Sequence, residues 1–548
     1  MARIPNSNFV FKKNMSIGEA DAENDHKFLK ECFLDIGDYE ILQDIENPKS
    51  IVIGRTGVGK SALLEQIEMD CERVIRIEPE ALALRYISNS TILNFFEGLG
   101  VSLDIFYNLL WQHTLVVELI KNKYDIDSEK KQESFFSLLH SKLNGDKKKQ
   151  QALKYIEEWQ DKFWVDTETR IKEFTDKLEE KLKCSIDSKI LDVKFTSEGS
   201  ALLSEELKSE VKYYGKKVVS DVQIEKLAKI IKVLSEDIFV DHQQKTYILI
   251  DRLDENWVDD ELRYKLIRAL IETIKKLRKI NPVKIIVTLR TDLLNRVLDK
   301  TKDSGFQREK YESLFLYVSW NKDQLKKLLD KRINHLLKYQ YTNSQVFFDD
   351  VFPPKINTIS SSEYILDRTL LRPRDAIMFV NTCLLESQEK TQITNSSIQL
   401  AEKKYSSDRI NSLKDEWFVE HPYLDKYINI FVNRKKSFKV NTITENELEP
   451  LITELAGFPV ENNDIVVKMA NLYFYCNQIN TNTYLIKFIQ NILYVLYKIG
   501  IVGIKVDRAS SVRWVHDRTQ DLIPEKIELT SSVYIHKILW RTLAIDNR

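Results

Sequence analysis

The eight residues Gly54-Arg55-Thr56-Gly57-Val58-Gly59-Lys60-Ser61 restrict what this chain can fold into more than any other stretch of it. They follow the β-branched run Ile51-Val52-Ile53 and precede SALLEQIE, which reads as a helix. Glycines at this spacing let backbone N–H groups turn inward around phosphates with no Cβ in the way. The lysine supplies a point charge to β- and γ-phosphates, and the serine hydroxyl takes a magnesium ion. The helix that follows aims its positive end at the same anion. Only 14 of the 548 residues are glycine, and three of them fall here within six positions, between a strand and a helix. The expected phosphate contacts are Gly54, Arg55, Thr56, Gly57, Val58, Gly59, Lys60, Ser61 and Ala62, with Ser61 also a metal ligand.

A second run, Tyr247-Ile248-Leu249-Ile250-Asp251-Arg252-Leu253-Asp254-Glu255, is an apolar strand ending in acid. It sets Asp251 at the C-terminal edge of a sheet, where doubly wound folds bind ligands and where a carboxylate can hold magnesium. Arg252 cannot act as a base, so orientation of an attacking water falls to Asp254 or Glu255. Asp254 is favoured because three residues carry it about one turn past the strand. The run Ile285-Ile286-Val287-Thr288-Leu289-Arg290 is a further strand, with Thr288 suited to bond the attacking water and Arg290 to pair with the γ-phosphate. Leu371-Arg372-Pro373-Arg374-Asp375 opens a helix, with proline suited to its first turn. Two arginines oppose the dipole there unless an anion is near, so Arg374, or else Arg372, is expected to reach the nucleotide.

Strand, amphipathic helix (261–279) and strand with buried apolar runs indicate a parallel α/β sheet. Val74–Ile77 and Leu314–Val318 would add strands, and residues 15–45 one or two helices. Residues 81–243 read as a long helical section; within it 167–183 is amphipathic, and Lys147-Lys148-Lys149 is a charge run suited to a solvated loop. From 321 the pattern is helical until two strand-like runs, Ile501–Val506 and Val512–His516. Lys plus Arg number 82 against 83 for Asp plus Glu, so any affinity for nucleic acid needs a local patch. Five scattered cysteines, with no CxxC pair, fit free thiols in a reducing cytoplasm. No apolar run approaches membrane-spanning length, and a cytoplasmic protein is expected.

Taken together, GRTGVGKSALL, IDRLDE, IVTLR and LRPRDAI resemble AAA+-related P-loop ATPases of the origin-recognition and STAND type. IDRLDE is similar to the D-G-L-D-E form in NACHT-like STAND proteins, where the acid three residues on is hydrolytic. The likeness extends to large bacterial ATPases encoded in antiphage-defence islands, through Ala20-Asp21…Cys32-Phe33, Trp257 and a terminal winged helix. It departs at Arg252, where glycine or an acid is usual, and this bears on the hydrolysis rate. The resemblance implies an α/β P-loop NTPase core with a parallel sheet of the additional-strand type, a long helical insertion, a helical lid and a C-terminal winged-helix-like domain. Expected boundaries are 1–80 and 244–320 for the core, 81–243 for the insertion, 321–420 for the lid and 421–548 for the last domain. The implied activity is hydrolysis of ATP to ADP and phosphate with ATP and Mg2+ bound, in a nucleotide-driven switch or motor subunit of antiphage defence. The alternatives are a DNA-binding initiator-like ATPase and a slowly hydrolysing scaffold. Expected partners are further copies of the chain or a separate effector, with at most weak nonspecific DNA binding and no membrane. Arg308 stands where such proteins place an arginine finger for a neighbouring subunit.

Overall fold

The computed structural model describes residues 10–80, 103–124, 221–302, 307–338, 341–458, 464–475, 481–516 and 522–546, with a few isolated residues from 150 to 209. Most of the expected insertion, including 167–183 and the charge run at 147–149, lies outside the described residues. The chain forms two compact units. One comprises Asp35–Arg55 and Lys60–Val318; the other comprises Met1–Leu34, Thr56–Gly59 and Ser319–Arg548.

The described chain opens with the short helices α1 (His26–Cys32) and α2 (Asp38–Gln43), in the region read as one or two helices. The unit of residues 35–55 and 60–318 is built on β1 (Ile51–Gly54), β2 (Val74–Ile77), β3 (Thr246–Ile250), β4 (Val283–Arg290) and β5 (Phe315–Tyr317). All five strands are parallel, in the order β2-β3-β4-β1-β5. β1 and β3 are buried throughout and β4 along all but its last residue, which is why these segments read as unbroken apolar runs. Among the described residues the unit also holds α2 and the helices α3 (Lys60–Asp70), α4 (Asp104–Lys123), α5 (Asp221–Val233), α6 (Asp260–Leu277) and α7 (Thr291–Lys300). Helix α6 starts where the Asp259 side chain accepts a bond from the Leu262 N–H, with Asp260 and Glu261 in the first turn favouring its dipole. The described ends of the 81–243 segment belong to the core: Trp111 of α4 is fully buried and its indole N–H donates to Leu266 O at 2.8 Å.

The other unit is helical from α8 (Lys322–Leu337) through α9 (Phe348–Val351), α10 (Ser361–Leu366), α11 (Pro373–Glu386), α12 (Asn395–Glu416) and α13 (Leu424–Asn429). A two-residue hairpin, β6 (Lys355–Ile356) and β7 (Ile359–Ser360), interrupts it. Asn321 and Gln324 close a reciprocal capping box at the start of α8, and Pro373 occupies the first turn of α11. Residues 10–25 form a strap on these helices. Phe11 and Glu389 N–H groups bond Lys390 and Phe11 carbonyls, Ile17 N–H donates to Asn381 Oδ1, and Asn381 returns a bond to Gly18 O. Arg332, buried, donates to Ile17 O and pairs with buried Asp25. Gly18 has φ +110°, and a Cβ there would collide with both Arg332 and Asp25, so only glycine passes.

Beyond residue 430 the unit adds β8 (Ser437–Lys439), α14 (Glu445–Ala456), α15 (Ile465–Phe474), α16 (Thr481–Ile499), β9 (Val502–Lys505) and β10 (Ser532–Ile535). The three strands form an antiparallel sheet ordered β8-β10-β9. Ile489, Ile492, Leu493, Leu496 and Ile499 of α16 are buried, as their helical spacing requires. The strand expected at Val512–His516 is not formed. That segment makes one bridge, Ile504 with Arg513, and packs Trp514 over Gly503, where a Cβ would stand 2.6 Å from the indole. The partner strand of β9 is instead Ser532–Ile535.

Candidate functional site

Strand register decides which side chains meet. Gly54 lies beside Arg290, Val52 beside Thr288, and Ile250 beside Val287. β4 thus separates the strand that feeds the glycine loop from the strand that ends at Asp251. One residue past Ile250, Asp251 comes level with Thr288, whose hydroxyl bonds Asp251 Oδ1. Arg252 N–H donates to the same oxygen at 2.9 Å, and Ser61 Oγ–H donates to Asp251 Oδ2 at 2.8 Å. Three predicted residues from three segments, Ser61, Asp251 and Thr288, therefore converge. A magnesium ion with oxygens about 2.1 Å away in octahedral geometry needs neighbouring ligand oxygens about 2.9 Å apart. The Ser61–Asp251 pair has that spacing without rearrangement.

Lys60 opens α3, and its ammonium donates to Gly54 O and Arg55 O, both at 3.2 Å. Burial pushes its pKa down to about 8, a shift that the negative charges of Asp254 and Asp251 partly oppose. Such a lysine is held back by weak carbonyl partners and gains from a stronger anion. Arg290 spans two acids, with Nη2 3.0 Å from Asp292 and Nη1 3.7 Å from Asp254. Asp254, 38% exposed, therefore faces the end of β4, whereas Glu255, 60% exposed, stands 3.7 Å from the Arg252 guanidinium. Arg252 has φ +59°, a left-handed conformation that costs a non-glycine residue about 1 kcal/mol. The backbone there has the shape that glycine takes most easily.

Within the other unit, the loop segment Thr56–Gly59 meets the start of α11. Gly57 has φ +75°, and a Cβ on it would lie 2.9 Å from Arg374 Cβ. Arg374 N–H donates to Gly57 O at 3.3 Å, and Trp320 Nε1–H donates to Val58 O at 2.8 Å. Thr56 Oγ1 is buried with no hydrogen-bond partner among the described residues. An unpaired buried hydroxyl beside a backbone cradle is a fit for phosphate oxygens. Ala62 sits in the first turn of α3, partly exposed. Trp257 packs at the core edge and donates to Leu253 O.

Of the two arginines expected to reach the nucleotide, Arg372 is the correction. It is 1% exposed and its guanidinium pairs with Glu416 at 3.2 Å, inside a buried set with Arg409 and Asp375. As the N-cap of α11 it points into the helical core, whereas Arg374, two residues on, lies at the loop. Arg308 bonds the Tyr317 hydroxyl and stands 3.6 Å from Glu312 of its own chain. Sequence reasoning missed Trp320, which carries no motif, and the pairing of Arg374 with Asp21, although Asp21 lies in a quoted segment. Among the described residues no helix is long and apolar enough to cross a membrane.

Residues 323–414, spanning α8 to α12, match the family model of the FunZ-associated C-terminal helical domain. The chain is also 24% identical over 554 residues to a transposon gamma-delta 80.3 kDa protein of Escherichia coli K12, covering 98% of this chain and 68% of that one. Among solved structures it is similar to a Walker-type ATPase of Pyrococcus abyssi, at 13% identity and a TM-score of 0.36, over 91% of this chain and 95% of that one. A five-stranded parallel sheet with a glycine loop between β1 and α3 is an α/β P-loop NTPase fold, followed by a helical region.

Proposed function

We propose that the chain binds ATP with magnesium and hydrolyses it, as a nucleotide-driven switch or motor subunit. The observation that carries this reading is the Ser61–Asp251 oxygen pair, braced by Thr288 of β4, the neighbour of the strand that feeds the glycine loop. β4 between β1 and β3 supports the additional-strand class, in which a polar strand end faces the nucleotide. Lys60 and the loop N–H groups bind the phosphates, with Arg374 as the lid contact. Ser61 and Asp251 hold magnesium, which supplies charge neutralisation at the β- and γ-phosphates when bound. Asp254 takes the proton of the attacking water, and Arg290, shared between Asp254 and Asp292, is positioned to detect the γ-phosphate. Bacterial antiphage defence is the proposed setting, supported by the resemblance and by a relative named for a transposon.

Hydrolysis rates decide the assignment of the base. Asp254→Asn is expected to bind ATP normally and turn over at least about 10²-fold more slowly. Glu255→Gln, altered at an exposed side chain, is expected to stay within a few-fold of wild type. Normal turnover by the first and loss by the second would transfer the role to Glu255.

Affinity should also depend on pH through Lys60. Phosphate binds its charged form, so ATP affinity is full below about pH 8 and falls as pH rises through the free-state pKa. The decline approaches tenfold per pH unit. Lys60→Arg keeps its charge and should flatten the profile. Dissociation constants for ATP across pH 6.5–9.5 check this.

A second reading, DNA binding by the C-terminal region, is favoured by the β8-β10-β9 sheet and the preceding α16, which support a winged-helix assignment. The buried apolar row of α16 leaves little of that helix to contact a duplex, so backbone contact from Lys505, Arg508 and Arg513 is the form it would take.

A further inference from the structure

The strap at residues 10–25 carries a charge that meets Arg374. Its backbone is fixed by Asn381 and Arg332, and Glu19 N–H donates to Asp25. Between those anchors the Asp21 carboxylate pairs with Arg374 Nη2, and Arg374 Nε donates to Ala20 O at 3.4 Å. The Arg374 backbone meanwhile donates to Gly57 of the phosphate loop, and its side chain fills the space a Gly57 Cβ would occupy. One guanidinium therefore stands before two anions: the strap carboxylate and any phosphate cradled by Thr56–Gly59. Asp21 is 59% exposed and Arg374 28% exposed, so their pair is solvated and exchangeable, unlike the buried Asp25–Arg332 pair.

The geometry points to Asp21 as a built-in competitor of the nucleotide, holding Arg374 in the empty chain and surrendering it to phosphate. Nucleotide affinity is thereby set in part by a residue that does not touch the nucleotide. The inference rests on the P-loop reading and gives Asp21 a sign opposite to that of a residue that positions Arg374. Losing a competitor tightens binding; losing a positioning residue weakens it.

The test is titration of the full chain with a fluorescent ATP analogue, for wild type, Asp21→Asn, Asp21→Glu, Arg374→Ala and the Asp21→Asn/Arg374→Ala double variant. Asp21→Asn is expected to bind up to about fivefold tighter, the range of an exposed ion pair. Asp21→Glu should return toward wild type, and Arg374→Ala should bind more weakly. In the Arg374→Ala background Asp21→Asn should have no further effect. Unchanged or weaker binding by Asp21→Asn, or an equal gain without Arg374, overturns the competition. Lys60→Ala separates the two levels. If it binds as wild type does, the P-loop reading falls and the competitor with it; if it loses binding while Asp21→Asn gains none, only the competitor falls.

Discussion

Lys60→Ala is expected to lose ATP affinity by at least about two orders of magnitude, the scale of removing a desolvated charge from its partner. The variant should fold as stably as wild type. This ammonium sits against two carbonyls at 3.2 Å, and burial depresses its pKa to about 8. The folded chain thus bears a cost for Lys60 that Asp254 and Asp251 offset in part and a bound anion would offset further, and truncation removes both cost and benefit. Calorimetric titration with ATP and a thermal melt without it measure the two halves. Unchanged affinity would sink the phosphate-loop assignment; a much lower melting temperature would show that Lys60 also holds the loop together.

Asp25→Ala is expected to have the largest effect on stability. Asp25 and Arg332 are each about 4% exposed, and the arginine also bonds Ile17 O and stacks near the Phe28 ring. Removing the carboxylate strands a buried guanidinium, at about 3–5 kcal/mol. It also releases Glu19 N–H. The midpoint of urea unfolding for the helical unit should fall accordingly, and Asp25→Ala combined with Arg332→Met should recover much of the loss, since two apolar groups leave no bare charge. A single variant as stable as wild type would mean that water reaches Arg332.

The parallel sheet was legible because a strand buried on both faces is largely apolar, and β1, β3 and β4 are each dominated by Ile, Val and Leu. The glycine loop and Asp251 were legible for the same local reason, since motif and element sit in one stretch of chain. What required distant partners was not legible. Arg372 and Arg374 flank the same proline, and it takes distant partners, Glu416 for the first and Asp21 for the second, to tell them apart. Val512–His516 is a strand-like run, but the absence of a side chain at Gly503 lets Trp514 pack against β9 instead. The three-residue β8 is too short to leave a period in sequence. Arg252 was noted as a departure in chemistry, while its left-handed backbone explains why glycine is the usual occupant.

The strap on the helical unit also imposes an order in time. Ile17 bonds Asn381 across 364 residues of chain, and Asp25 pairs with Arg332 across 307. At roughly 5–20 residues per second, synthesis reaches Lys390 some 20–80 s after the strap has been made. Every strand of the parallel sheet lies before residue 318 and is already translated by then. Closing so long a loop also makes this the slowest kind of contact to form by diffusion. A segment made before the whole parallel sheet is consequently among the last to dock, and until it does, Arg332 has no carboxylate and Arg374 has no strap to answer to.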